Sequence, residues 1–190
     1  HEKKITRGMG FYTSFLYKSQ WSDSLHARWL LKEVDKKGCI AEGVWGKIPV
    51  IQRWRFEIQD RELVFLVETD LKNRIDIIKE QMGIMLSEDY SHWCAGEKLS
   101  AGFPTDFFEE NSDAWERIWT SPDLSSIGVY DAGNNLPSVS LVSLGGHEKV
   151  RCMIENTGDF YRARVLGCYR IMKNRNQTTD EKVFFHGKIA

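Results

Sequence analysis

The strongest constraint on the fold is a two-residue alternation in the stretch from Val50 to Trp93. In its first segment the even positions up to Ile58 are mostly apolar, whereas the odd positions include Arg53 and Arg55. Successive side chains of a β-strand point to opposite faces, so this alternation predicts a strand that is buried on one face.

Two further extended runs follow this first strand. Residues 62–67 are almost all β-branched, aromatic or leucine, and a third run places Ile75 and Ile77 on either side of Asp76. Asp60 and Arg61 separate the first two runs as a turn. Three consecutive strands joined by short turns predict an antiparallel meander.

Similar runs recur along the rest of the chain, separated by turn residues such as Gly145 and Gly146. Helical periodicity is nearly absent, so the predicted fold class is all-β, an antiparallel β-sandwich of roughly ten strands. A length of 190 residues favours one domain over residues 1–190. Because the chain opens with His1 and a charged segment, we expect it to be excised from a longer protein.

Two segments are predicted to lack strands. Residues 19–24 have turn composition and would place Trp21 in a polar loop. Residues 87–123 are poor in β-branched residues and are predicted to form a long loop containing a short helix, capped by Asn111 or Ser112 and ending at Trp119.

The charge balance argues against two classes of partner. The chain carries 26 basic and 27 acidic residues, so it has no general attraction for nucleic acid or for anionic membranes. No apolar run approaches the roughly 20 residues of a spanning helix, so membrane insertion is not predicted. The absence of a secretory signal and the dispersed cysteines Cys39, Cys94, Cys152 and Cys168 favour the cytoplasm, with reduced thiols.

Motifs of catalysis and metal binding are absent from the sequence. There is no GxSxG, HExxH, phosphate-loop or GxGxxG pattern, and the cysteines form no CxxC pair. We therefore predict no catalytic residue, no metal site and no cofactor for this domain alone.

Aromatic residues beside polar groups provide the clue to function. A sugar ring presents an apolar face of C–H groups and an equator of hydroxyls, so its site needs an exposed flat ring flanked by hydrogen-bonding groups. The segment after Leu86 has this composition, and Trp21 has it in another loop. The sequence therefore predicts carbohydrate binding, with stacking on Trp93, Tyr90 and Trp21 and hydrogen bonds from Glu88, Asp89, His92 and Asp106.

The central stretch also resembles a known kind of module. An alternating strand with Trp54, Phe56 and Ile58 is followed by further extended runs and then by MLSEDYSHW. This pattern is similar to β-sandwich modules of carbohydrate-processing proteins. The resemblance implies sugar recognition and assigns no individual residue. We therefore predict a non-catalytic module, with a covalently linked catalytic domain in the parent protein.

Two other functions fit the same residues. The loop carboxylates and a histidine could serve a sugar-active epimerase, lyase or hydrolase if they converged in one pocket. Alternatively, the aromatic rings could anchor a partner chain in a protein-interaction sandwich.

Overall fold

The computed structural model describes residues 4–72, 75–104, 115–122, 125–146, 149–158, 162–172 and 179–190, with backbone only for residues 179–181. These residues contain fifteen strands and one short 3-10 helix, Ser24–His26. The strands are β1 (Thr6–Tyr17), β2 (Gln20–Asp23), β3 (Ala27–Val34), β4 (Gly38–Trp45), β5 (Val50–Gln59), β6 (Glu62–Leu71), β7 (Ile77–Ser87), β8 (His92–Ala95), β9 (Leu99–Gly102), β10 (Trp115–Ser121), β11 (Ser126–Tyr130), β12 (Val139–Ser143), β13 (Arg151–Thr157), β14 (Ala163–Ile171) and β15 (Thr179–Ile189).

The strands form two antiparallel sheets, so the predicted all-β sandwich is confirmed. The smaller sheet has the strand order β10-β13-β14-β7-β1-β2, and the larger has the order β3-β4-β5-β6-β15-β12-β11-β8-β9. The alternating segment behaves as predicted, because β5 pairs with β6 from Val50 opposite Leu71 to Gln59 opposite Glu62.

The predicted meander is wrong at its third strand. β7 does not continue beside β6 but lies in the smaller sheet between β14 and β1. Every residue from Glu80 to Ser87 is buried, whichever face of the strand it occupies. A strand covered on both faces shows no alternation, so its sequence carries no sign of the sheet to which it belongs.

Two hairpins turn through two-residue loops of the same kind. Lys18 and Ser19 join β1 to β2 with φ of 47° and 62°, and Asp60 and Arg61 join β5 to β6 with φ of 48° and 71°. Two consecutive positive φ values are typical of type I′ turns, whose twist matches that of paired strands. The first of these turns makes residues 20–23 a strand, so the prediction of a loop around Trp21 is wrong.

The predicted long loop after Ser87 contains three strands. β8 and β9 form a hairpin at one end of the larger sheet, and β10 forms an edge of the smaller sheet. Trp115 and Trp119 lie in β10, so the predicted helix is wrong over these residues, while residues 105–114 lie outside the described ranges. Pairing of β10 with β13, which is distant in sequence, overrides the local helical propensity.

The chain divides into two compact units. The first comprises His1–Tyr12, Met82–Leu141 and Arg151–Tyr169, and the second comprises the remaining segments. In the first unit Tyr12, Met85, Ala163 and Val165 form a buried cluster. The single-domain prediction is not tested by this division and stays a prediction.

The second unit comprises Thr13–Gln81, Val142–Val150 and Arg170–Ala190. In its core the ring of Phe15 meets that of Trp45 edge to face, with 5.1 Å between centroids. These two rings belong to different sheets, so they are part of the sandwich core. The buried members of this cluster are Phe15, Trp45, Ile48, Val50, Leu71 and Ile77.

A buried polar network accompanies this core. Arg170 and Glu80 are 6% and 0% exposed, and Arg170 Nη2 lies 2.6 Å from Glu80 Oε2. Gln52 Nε2 donates to Glu80 Oε1 at 3.2 Å, and Thr69 Oγ1 donates to the same oxygen. The charges are therefore paired and hydrogen-bonded, as burial in a sandwich requires.

Candidate functional site

The two rings that were expected to face solvent after Leu86 are buried. Tyr90 and Trp93 are 0% and 6% exposed. The hydroxyl of Tyr90 donates to the carbonyl oxygen of Pro137 at 2.8 Å, and the ring of Trp93 lies 6.2 Å from that of Trp119. The expectation that Tyr90 and Trp93 offer an open stacking surface is wrong.

The strand β8 explains this burial. Its residues alternate, with Trp93 and Ala95 buried and His92 and Cys94 half-buried. The local sequence has the composition of a loop, but pairing with β9 and β11 makes it a strand, and alternation then directs Trp93 inward.

The polar residues near β8 bind one another at the surface of the first unit. His92 stacks on the ring of Tyr130 with 5.1 Å between centroids, and its Nδ1 lies 2.9 Å from Ser91 Oγ. Asp89 accepts a hydrogen bond of 2.9 Å from Ser87 Oγ. These groups make hydrogen bonds and a ring stack within the unit, and they do not flank an exposed ring.

Glu88 is half-buried, and its charge acts on Arg164 of β14. Arg164 donates to Asn156 Oδ1 at 2.7 Å, and its guanidinium lies 4.3 Å from the centroid of Phe103. Burial lowers the pKa of Arg164 to about 10, so the group remains charged at neutral pH. Asp106, the seventh predicted site residue, lies outside the described residues.

Trp21 is the one predicted stacking residue whose ring is open to solvent. Its exposed fraction is 48%, and the ring forms one wall of a small groove of about 210 Å³ in the second unit. The remaining walls are mostly polar. The lining residues are Tyr17, Lys18, Gln20, Trp21, Ser22, His26, Lys47 and Ile48.

The β1–β2 hairpin and the short helix after it hold this groove. Trp21 pairs with Leu16 across the hairpin, next to the pair of Tyr17 with Gln20 that flanks the turn. Asp23 caps the 3-10 helix by accepting from the backbone N–H of Leu25 at 2.9 Å. The same oxygen lies 3.0 Å from His26 Nδ1, so Asp23 orients the imidazole.

A cation fixes the orientation of the indole. Lys79 Nζ lies over the ring of Trp21, 5.3 Å from its centroid, within the distance of a cation–π contact. One face of the ring is thus occupied, and the indole is still nearly half exposed. Sequence reasoning missed the other polar residues of the groove, which are Gln20, Ser22 and Lys47. They belong to no sequence motif, and only the folded chain brings them close to Trp21.

A second cavity in the same unit is larger but less suited to stacking. It measures about 710 Å³ and lies beside the turn between β3 and β4. Phe56 is the single aromatic residue among its lining side chains, and it is half-buried. Neither of these two cavities is lined by Glu88, Asp89 or His92.

The described residues contain no group of three or more His, Cys, Asp or Glu side chains placed to hold a metal ion. All four cysteines are free thiols, and burial raises the pKa of Cys152 to about 11, so this thiol stays protonated at neutral pH. In the same ranges no helix has the length and apolar character needed to cross a bilayer.

The described residues therefore define an all-β sandwich in which the exposed Trp21 lines a groove. No family model matches the chain. The comparison with curated proteins also finds no match.

Proposed function

We propose that this chain is a non-catalytic carbohydrate-binding module whose ligand stacks on Trp21. The observation that carries this proposal is the combination of an indole that is 48% exposed with the polar walls of a concave groove. Tyr90 and Trp93 are not part of the proposed site, because their rings are buried.

The exposed indole supplies the apolar half of the interaction. A tryptophan side chain buries about 150–250 Å² when fully covered, so covering the exposed half removes roughly 100 Å² from water. At about 25 cal/mol per Å², this contributes roughly 2 kcal/mol. A contribution of this size is consistent with a weak site, in which a Kd near 1 mM corresponds to about 4 kcal/mol.

The groove walls supply the hydrogen-bonding half. Gln20 both donates and accepts, while Lys47 only donates, so together they can satisfy hydroxyl groups of either polarity. His26 is held at Nδ1 by Asp23, which leaves Nε2 for a ligand. These groups are neutral or basic, so the groove favours a neutral or acidic sugar.

The size of the groove limits the ligand. Typical pockets for small molecules measure about 300–1,000 Å³, whereas this groove measures about 210 Å³. It accommodates one sugar ring at a time, and the rest of an oligosaccharide would extend into solvent.

Saturation-transfer NMR with a panel of oligosaccharides tests this proposal at the weak affinities expected. Trp21→Ala should remove the signal, since a loss of roughly 2 kcal/mol weakens binding about thirty-fold. Trp21→Phe, which keeps a flat ring, should retain part of it.

Trp115→Ala is the matched control, because Trp115 is 39% exposed but belongs to the first unit. It should bind like the unmodified chain. The proposal fails if no oligosaccharide in the panel gives a signal, or if Trp21→Ala binds as well as the unmodified chain does.

A further inference from the structure

β3 forms an exposed edge of the larger sheet in the described part of the chain. Seven of its eight residues are exposed, and the exposed fractions of Leu30, Leu31 and Val34 are 43%, 68% and 68%. Natural edge strands are usually protected by charges, prolines or bulges. β3 has a bulge and the charged residues Arg28, Lys32 and Glu33, yet Leu30, Leu31 and Val34 remain open to water, as expected of an edge that a partner covers.

The pairing of β3 with β4 shows which residues share a face. Ala27, Trp29 and Leu31 are opposite Trp45, Gly43 and Ala41, after which the register shifts at Lys32. Lys32 is the extra residue of this bulge and is skipped when the alternation is counted. Glu33 therefore lies on the face opposite to Leu31, and Val34 lies on the same face as Leu31. One face therefore carries Ala27, Trp29, Leu31 and Val34, and the other carries Arg28, Leu30 and Glu33.

We propose that β3 pairs antiparallel with β3 of a second copy of this chain, about a two-fold axis at Leu30. A two-fold axis normal to the sheet requires that opposed residues lie on the same face. The register centred on Leu30 meets this requirement along the whole strand. It places Trp29 opposite Leu31, Arg28 opposite Glu33 and Ala27 opposite Val34, each pair occurring twice.

Charge complementarity selects this register. It pairs Arg28 of each copy with Glu33 of the other and leaves apolar residues opposite apolar residues. Moving the two-fold axis by one residue, to Trp29 or to Leu31, would place Leu30 opposite Arg28 or Glu33. Lys32 does not oppose the pairing, because its ammonium already contacts Glu42 of its own chain at 3.1 Å.

Charge reversal tests the proposed register. At concentrations from about 1 μM to about 1 mM, light scattering should show the mass rising from 22.1 kDa towards twice that value. Arg28→Glu and Glu33→Arg should each raise the dimer Kd roughly thirty-fold, because two attractive pairs become repulsive. The double variant Arg28→Glu/Glu33→Arg should restore the dimer.

Arg151→Glu, an exposed change on β13, is the control and should leave the dimer unaffected. Circular dichroism identifies variants that fail to fold. A chain that stays monomeric over the whole range overturns the proposal and leaves the edge to a strand of another protein. A dimer that neither single reversal weakens overturns it as well.

A cross-link tests the position of the axis independently. Residues directly opposed in an antiparallel pair have Cα atoms about 4.5–5.5 Å apart, within the range that a disulfide spans. Leu30→Cys should therefore form a covalent dimer when diamide oxidises the two thiols. Leu144→Cys, at another exposed apolar position, should not, and equal cross-linking of the two variants would contradict the proposed register.

Discussion

The hydroxyl of Tyr12 has no hydrogen-bond partner among the described residues, although the side chain is only 2% exposed. Burial, and after it the charge of Glu155, raises the pKa of Tyr12 well above its usual value. An unsatisfied buried polar group destabilises a fold by about 1–3 kcal/mol. The ring of Tyr12 therefore stabilises the fold, whereas its hydroxyl group destabilises it.

Tyr12→Phe should stabilise the protein by about 1 kcal/mol, measured by urea unfolding at pH 7. In the unmodified chain the unfolded state loses the phenol proton near pH 10, before the folded state does. The contribution of Tyr12 is therefore constant below about pH 10 and falls as the pH rises further, by up to about 1.4 kcal/mol per pH unit.

Tyr12→Phe should remove this part of the alkaline loss. Tyr130→Phe is the control, because its hydroxyl lies at the surface beside Ser100, and it should keep the loss. Equal alkaline slopes in Tyr12→Phe and the unmodified chain would contradict the assignment.

At the scale of the element, the turns of the two hairpins have a twist that matches their strands, but their residues are poorly suited to the positive φ angles that this twist requires. Type I′ turns favour Asn-Gly, yet the chain has Lys18-Ser19 and Asp60-Arg61 at positive φ. A residue other than glycine, asparagine or aspartate costs about 1–2 kcal/mol in this region. The hairpin that carries Trp21 is thus held partly by tertiary contacts.

Ser19→Gly and Arg61→Gly should each raise the free energy of unfolding by about 1 kcal/mol, since glycine adopts positive φ without a Cβ clash. Ser22→Gly, in the strand of the first hairpin, is the matched control and should lower it by about 0.5–1 kcal/mol. Thermal unfolding monitored by circular dichroism measures all three. Destabilisation by Ser19→Gly would mean that Lys18 and Ser19 do not form this turn.

At the scale of the whole molecule, stability depends on buried charge as well as on apolar area. The pair of Glu80 with Arg170 joins β7 and β14, whereas the pair of Glu62 with Lys188 is partly exposed. Removing one partner of a buried pair leaves an unpaired charge in the interior and costs about 3–5 kcal/mol. Exposed pairs contribute about 0–1 kcal/mol.

Glu80→Ala should therefore destabilise the fold by about 3–5 kcal/mol, and Glu62→Ala by less than about 1 kcal/mol. Chemical denaturation of both variants gives the comparison. The double variant Glu80→Leu/Arg170→Met should lose less than the sum of the two single changes, because it leaves no unpaired charge. Equal effects of Glu80→Ala and Glu62→Ala would show that the network is not buried in solution.

Prediction from sequence succeeded where a strand has one covered face. β5 and β6 alternate and were identified with their turn, whereas β7, buried on both faces, was assigned to the wrong sheet. β8 and β10 are strands because they pair with strands distant in sequence. Their local composition is typical of loops and helices, so it does not predict these strands. Of the six predicted site residues that the structure describes, the groove includes Trp21 alone.

The sequence by itself determined that this chain is an all-β sandwich, because the two-residue period of apolar side chains is compatible with strands and not with helices. Only the tertiary structure decided which aromatic rings face solvent. Trp93 and Trp21 both lie among polar neighbours in the sequence, yet the first packs against Trp119 and the second lies open in a groove. The physical reason is that exposure depends on what packs over a side chain, and residues distant in sequence supply that cover.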